Sequence, residues 1–202
     1  MTGYKFVIYN DKYTATLTGQ SVYIRDRETG DEITRFKGLR YAYRAVFNPI
    51  KNMLVVKSTE PWLYFYSLET MSLIRRIKCK KAYQVQDSGF CVSTDGKYII
   101  NIEGIVRKVT GVPRFATCLV VYSCETFEET ERFFDVGQYW FRVIECHKEG
   151  YLLAGTDLLD NTSDPYFFDG KDITKTYVKD FNLDDINPYD AIYYQDKENH
   201  GE

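Results

Sequence analysis

The chain has 202 residues, 44% of them hydrophobic, 16% aromatic and 27% charged, with a formal net charge of −3. It is long enough and apolar enough for one domain with a sizeable core, which excludes wholesale disorder and collagen-like or low-complexity architecture. The near-neutral balance argues against a dedicated duplex-DNA binder, which would be strongly basic.

From the N-terminus, Met1-Thr2-Gly3-Tyr4-Lys5 runs directly into an alternating apolar segment, without the charged, apolar and small-residue regions of a secretory leader. No apolar run approaches the roughly 18 residues needed to span a bilayer. A cytoplasmic protein without membrane contact is the expectation. Five cysteines (Cys79, Cys91, Cys118, Cys124 and Cys146) are an odd number and are never spaced C-x-x-C. Buried free thiols are expected rather than a disulfide framework or a zinc site.

The strand signals that follow come in pairs. Phe6–Leu17 reads as two short strands around Asn10-Asp11-Lys12, and strand–turn–strand segments follow at Val22–Phe36, Arg44–Val56, Leu63–Ile77, Phe90–Ile100, Leu119–Phe133, Phe141–Ala154 and Pro165–Tyr177. All alternate with period two, are rich in Val, Ile, Tyr and Phe, and join through Asn-Pro, Asp-Gly, Glu-Gly or Thr-Gly. Within this series Glu28, Glu69, Glu125 and Lys171 occupy one turn position at offsets of 41, 56 and 46. The strand openers Tyr13, Met53, Tyr98 and Tyr151 repeat in step, at 40, 45 and 53. Four strands per repeat at this period is what one blade of a β-propeller needs.

The expected fold is therefore all-β: a single domain over residues 1–195, with four four-stranded antiparallel blades at about 4–38, 41–80, 83–135 and 138–180. An extra strand at 189–195 would help to latch the ring, and 196–202 would be a flexible polar tail. The motifs Asn48-Pro49-Ile50-Lys51-Asn52 and Ser93-Thr94-Asp95-Gly96-Lys97 resemble the inner turn of WD40-type repeats. Arg25-Asp26, Tyr66-Ser67, Tyr122-Ser123 and Phe168-Asp169 stand where that family ends its third strand on a dipeptide. The chain resembles a divergent WD40-like or YVTN-like propeller from about Phe6 to Val178, and the resemblance implies a mostly non-catalytic platform for protein partners. Seven blades would need about 300 residues at a 40–45-residue period. A self-closed four-bladed ring is expected, with a homodimer completing a larger ring as the alternative.

Little here could carry chemistry. Only His147 and His200 are present, which excludes a histidine-based triad or a multi-histidine metal centre, and His147 reads as a turn residue. No catalytic residue and no cofactor is expected. Asp157, Asp160 and Asp164 bear the oxygen donors that hard cations select, at no recognisable calcium-loop spacing, so no metal is assigned to them.

The third blade carries an insertion between Ile102 and Thr117 that accounts for most of the 56-residue offset. Its cations Arg107, Lys108 and Arg114 are interleaved with Ile105, Val106, Val109, Val112 and Phe115. A long hairpin of this composition would face a partner. Trp62 and the pair Tyr139-Trp140 open strands, packing between blades or, if on the rim, anchoring a contact. Charge is polarised, with nine Lys or Arg against three Asp or Glu over residues 70–116 and five against fourteen over 145–202. In Arg75-Arg76-Ile77-Lys78-Cys79-Lys80-Lys81 the cations suit an edge strand guarded against aggregation better than an RNA site. The function expected is protein binding, with no nucleic-acid partner. The alternatives are a small-ligand or enzyme site at the mouth of a central channel, and a bacterial immunity-type inhibitor.

Overall fold

The computed structural model describes residues 6–48, 50–79, 89–109, 111–133, 139–147, 149–157, 159 and 163–175. The expected strand at 189–195, the tail, and His200 lie outside them. The described residues form antiparallel β-sheets and no helix, so no helix is long and apolar enough to cross a membrane.

Fifteen strands run in chain order, each pairing with its sequence neighbour inside three sheets. The first sheet holds β1 (Phe6–Tyr9), β2 (Tyr13–Leu17), β3 (Gly19–Asp26), β4 (Glu32–Asn48), β5 (Met53–Ser58), β6 (Trp62–Ser67) and β7 (Ser72–Lys78). The second holds β8 (Phe90–Val92), β9 (Tyr98–Val109), β10 (Val112–Ser123) and β11 (Glu129–Phe133). The third holds β12 (Tyr139–His147), β13 (Gly150–Asp157), β14 (Ser163–Phe168) and β15 (Ile173–Lys175).

The sequence predicts separate first and second blades, whereas β4 runs through both. Residues 32–37 of β4 pair with β3, and residues from Ala42 onward pair with β5. Between them Gly38 and Tyr41 take positive φ, bending the strand without ending it. Counting β4 in both halves gives four consecutive four-stranded antiparallel units. Their first strands pack in succession, β1 on β4, β4 on β8 and β8 on β12.

Each of the first three units ends on the same device. Asp26 Oδ1 accepts the N–H groups of Glu28 and Thr29, Ser67 Oγ those of Glu69 and Thr70, and Ser123 Oγ those of Glu125 and Thr126. In the fourth unit Asp169 Oδ1 does the same for Lys171 and Asp172. A short side-chain acceptor satisfying backbone donors two and three residues on fixes a tight turn. The turn then needs a left-handed residue, supplied by Gly30, Met71 and Phe127 at φ of 77°, 49° and 59°. The N–H groups of Arg27, Leu68 and Cys124 donate to the carbonyls of Lys12, Asn52 and Lys97, locking each outer turn to an inner one. In all three units the register slips once at the start of the outer strand, at Ile33, Ile74 and Thr130. Such bulges twist an edge away from further pairing.

Packing explains why the strands of the second unit read as nearly continuous apolar runs. Val46, Val55, Leu63 and Phe65 face a core shared with the second and third sheets. Their neighbours Ala45, Phe47, Leu54, Val56, Tyr64 and Tyr66 face a core shared with β1 to β3. With both faces covered, the apolar–polar alternation of a half-exposed sheet disappears. All five cysteines are buried, and none forms a disulfide among the described residues.

Candidate functional site: the β9–β10 ribbon and its buried root

β9 and β10 are the longest strands of their sheet, and only their lower halves have outer partners. β8 pairs with residues 99–101 and β11 with residues 119–122. From Glu103 opposite Cys118 to Val109 opposite Val112, seven cross-strand pairs form a two-stranded ribbon. At its root Glu103, Ile105, Ala116, Thr117 and Cys118 are buried. Thr117 Oγ1 accepts the Phe141 N–H at 2.9 Å, fastening the ribbon to β12.

Toward the tip the chain emerges. Val106 and Val112 are 42% and 54% exposed, and Lys108 is exposed. Arg114 lies directly opposite Arg107, Lys108 opposite Pro113, and Phe115 opposite Val106. The insertion read from the sequence is thus an extension of both strands.

The root is held by an ionic cluster. Glu103 accepts hydrogen bonds from Tyr122 Oη, from Asn101 Nδ2 at 3.1 Å and from Arg132 at 3.1 Å. Arg132 also forks onto Glu129 at 2.8 and 2.9 Å, and its guanidinium lies 3.4 Å from Cys118 Sγ. The Arg132 and Glu103 side chains are only 8% and 1% exposed, so this pair is screened from water. The Glu129 hydrogen bonds are the main cause that raises the Arg132 pKa. Burial pushes the Tyr122 hydroxyl and the Cys79 thiol up, and the Cys118 thiol to about 11.

Lys57 of β5 completes the cluster from the neighbouring unit. Its buried ammonium donates to the Ile102 carbonyl at 2.7 Å and the Gly89 carbonyl at 3.3 Å. Desolvation lowers its pKa to about 7, with Cys79 and Glu103 opposing and its register partner Arg44 assisting that shift. A second bridge between the same units comes from buried Asn48, whose Nδ2 donates to the Gly96 carbonyl at 2.7 Å while Oδ1 accepts the Lys51 N–H at 3.1 Å.

The remaining sequence candidates lie apart from the ribbon or beyond description. Trp62 is half-buried at the start of β6, with the Arg76 guanidinium 4.4 Å above its ring. Tyr139 and Trp140 open β12, opposite Asp157 and Thr156. Asp160 lies outside the described residues, while Asp157 and Asp164 are placed only as members of β13 and β14. Among the described residues no group of three potential ligands could hold a metal ion. His147 is buried in the β12–β13 turn, its Nδ1 accepting the Glu149 N–H at 3.3 Å. Sequence reasoning missed Lys57, Arg132 and the anchoring role of Glu103. The available signal was a charge placed among apolar strand residues, as in Met53-Leu-Val-Val-Lys57 and Ile99-Ile-Asn-Ile-Glu103.

These features define an all-β protein of stacked antiparallel four-stranded units. No family model matches the chain, and no curated protein matches it. Among solved structures, Kuenenia stuttgartiensis hydrazine synthase is similar over 85% of this chain, with a TM-score of 0.68 at 12% identity. Dihydro-heme d1 dehydrogenase NirN in complex with DHE is similar over 83%, with a TM-score of 0.56 at 15% identity. The chain spans 52% and 33% of those two chains. Both contain β-propeller-type domains, and at such identities the likeness is one of fold.

Proposed function

We propose that the chain is a four-bladed β-propeller-type binding module without catalytic machinery of its own, which holds a protein partner through the β9–β10 ribbon. The observation that carries this is the ribbon itself. Seven cross-strand pairs leave the sheet, rooted in a buried ionic cluster and ending in exposed Val106, Lys108 and Val112. A rigid root lowers the ordering cost of binding, and mixed apolar and cationic side chains suit the rim and core of a protein interface. The charged groups of the cluster bond to one another and to backbone carbonyls, a structural arrangement that fixes the ribbon's direction.

Replacing residues 105–116 by an Asn-Gly turn between Gly104 and Thr117 tests the reading. Full-length and shortened chains serve as bait for the same lysate. Loss of specific partners with the fold retained is the expected result, and unchanged recovery refutes it. Light scattering tests the ring: self-closure requires a monomer of 23.7 kDa, and a stable dimer overturns it.

A further inference from the structure

We infer that the outer edge of β7 takes up an extended acidic segment of a protein partner by antiparallel strand addition, the carboxylates of the added strand facing Arg76 and Lys78. This surface belongs to the second unit and is separate from the β9–β10 ribbon.

β7 is the last strand of its sheet, and among the described residues no strand pairs beyond it. The bulge at Ile74 distorts its turn end, but from Arg75 opposite Phe65 to Lys78 opposite Trp62 the register with β6 is unbroken. Past that stretch the Cys79 N–H donates to the Pro61 carbonyl at 2.7 Å. Backbone groups of an antiparallel strand alternate between its two sides. Ile77 and Arg75 therefore also turn theirs toward β6, and Arg76 and Lys78 hold their N–H and C=O groups outward. Such a row of main-chain donors and acceptors is a template for one more strand.

The side chains select which strand. Every residue of β7 except Ile77 is exposed, Leu73 at 50% and Ile74 at 43%. Arg75, Arg76 and Lys78 are joined by no Asp or Glu within the strand, and none of the three forms a salt bridge among the described residues. Arg76 is steadied 4.4 Å above the Trp62 ring, while Ile77 packs toward the opposite core. Opposite charges directly across an antiparallel pair attract and like charges repel. An added strand with carboxylates opposite Arg76 and Lys78 and an aliphatic residue between them, beside Ile77, satisfies both faces. A second β7 would set cations against cations, so the charge that keeps like edges apart also favours an acidic one. An RNA strand would meet the cations but could not complete a ladder with both N–H and C=O groups, and the Trp62 face that could stack a base is taken by Arg76.

The probe is a fluorescent ten-residue peptide alternating Glu with Val. It is compared with its Lys–Val counterpart, with a Glu–Val peptide N-methylated at the glutamates, and with a 20-nucleotide single-stranded RNA. In an antiparallel addition the residues opposite Arg76 and Lys78 must donate their own N–H groups, which the methyl groups prevent. The wild-type chain should bind the Glu–Val peptide at least tenfold tighter than any of the three, with its advantage over Lys–Val shrinking as salt rises. Arg76→Glu with Lys78→Glu should reverse the charge preference while the melting temperature stays within about 3 °C, because both side chains are exposed. If the double variant melts earlier than that, Lys78→Glu alone should still cut the preference at least threefold.

Equal binding of the Glu–Val and Lys–Val peptides, tighter binding of the RNA, or a folded variant with an unchanged preference would each overturn the inference. Unchanged binding of the N-methylated peptide would reduce the cations to a charged patch and refute strand addition. Concentration-dependent self-association that the double variant removes would make the occupant a second copy, through an acidic edge such as β11 with Glu129 and Glu131. The ribbon is kept apart by the chain shortened at residues 105–116, which should bind the Glu–Val peptide as the full chain does. Loss of the peptide on shortening refutes the β7 site, whereas lysate partners indifferent to shortening refute only the ribbon.

Discussion

Replacing the buried Lys57 by methionine should remove a rise in stability between pH 7 and pH 9. In the folded chain desolvation brings the ammonium to a pKa of about 7, against 10.5 when solvated. Between these values the unfolded chain holds more protons than the folded one, so stability rises with pH there, by at most about 1.4 kcal/mol per unit. From about pH 8 the buried thiols oppose this. Burial raises Cys118 and Cys124 to about 11 and Cys79 further, from 9.0. Stability they provide at lower pH is lost as pH climbs through that range. Between pH 7 and 9 the lysine contributes roughly 2 kcal/mol, while the three thiols, already half ionised at pH 9 in the unfolded chain, each take back about 0.4 kcal/mol, leaving a net rise of about 1 kcal/mol. Urea midpoints at pH 7, 8 and 9 under reducing conditions, at constant m-value, measure it. Lys57→Met keeps the chain length, loses the donors to Gly89 and Ile102, and should give a profile that falls by about 1 kcal/mol over the same window. A wild-type profile already flat over this window, or an equal rise in Lys57→Met, would refute the reasoning.

Three further outcomes follow from the same structure. Glu103→Leu leaves Tyr122 and Asn101 without their shared acceptor and strips one partner from buried Arg132. It should cost about 3–5 kcal/mol in urea unfolding and speed amide exchange along the ribbon. Asp26 and Asp169 have pKa values depressed chiefly by backbone N–H groups, Thr29 first for Asp26 and Asp172 first for Asp169. Their contribution is present above the ordinary carboxylate value of 3.8 and lost as pH falls through the depressed one. Substituting both by serine, the residue at the equivalent positions 67 and 123, should flatten the acid limb of a thermal-stability profile; an unchanged limb would refute the assignment. At Gly96 φ is +69° and a Cβ would stand 2.8 Å from both Asn48 Oδ1 and Ile50 Cβ. Gly96→Ala should cost about 2–4 kcal/mol in calorimetry, against about 1–2 for Gly30→Ala, which has φ +77° and open space.

The ribbon was legible in the sequence because insertion length shows in the spacing of a repeat. Its anchor was not, since Glu103 and Arg132 are 29 residues apart and Lys57 and Ile102 are 45 apart. A lysine inside an apolar strand and one on a solvated face look alike until the neighbouring sheet is in place.

By itself the sequence determined the strand–turn–strand repeat and the residues that close its outer turns, Asp26, Ser67, Ser123 and Asp169. Those turns rest on bonds spanning two or three residues, so local chemistry suffices to specify them. Only the tertiary structure decided that β4 runs unbroken through two units, that both faces of the second unit are buried, and that Lys57 reaches the Gly89 and Ile102 carbonyls of the next sheet. Burial and desolvation depend on what packs from far along the chain, and no local pattern encodes them.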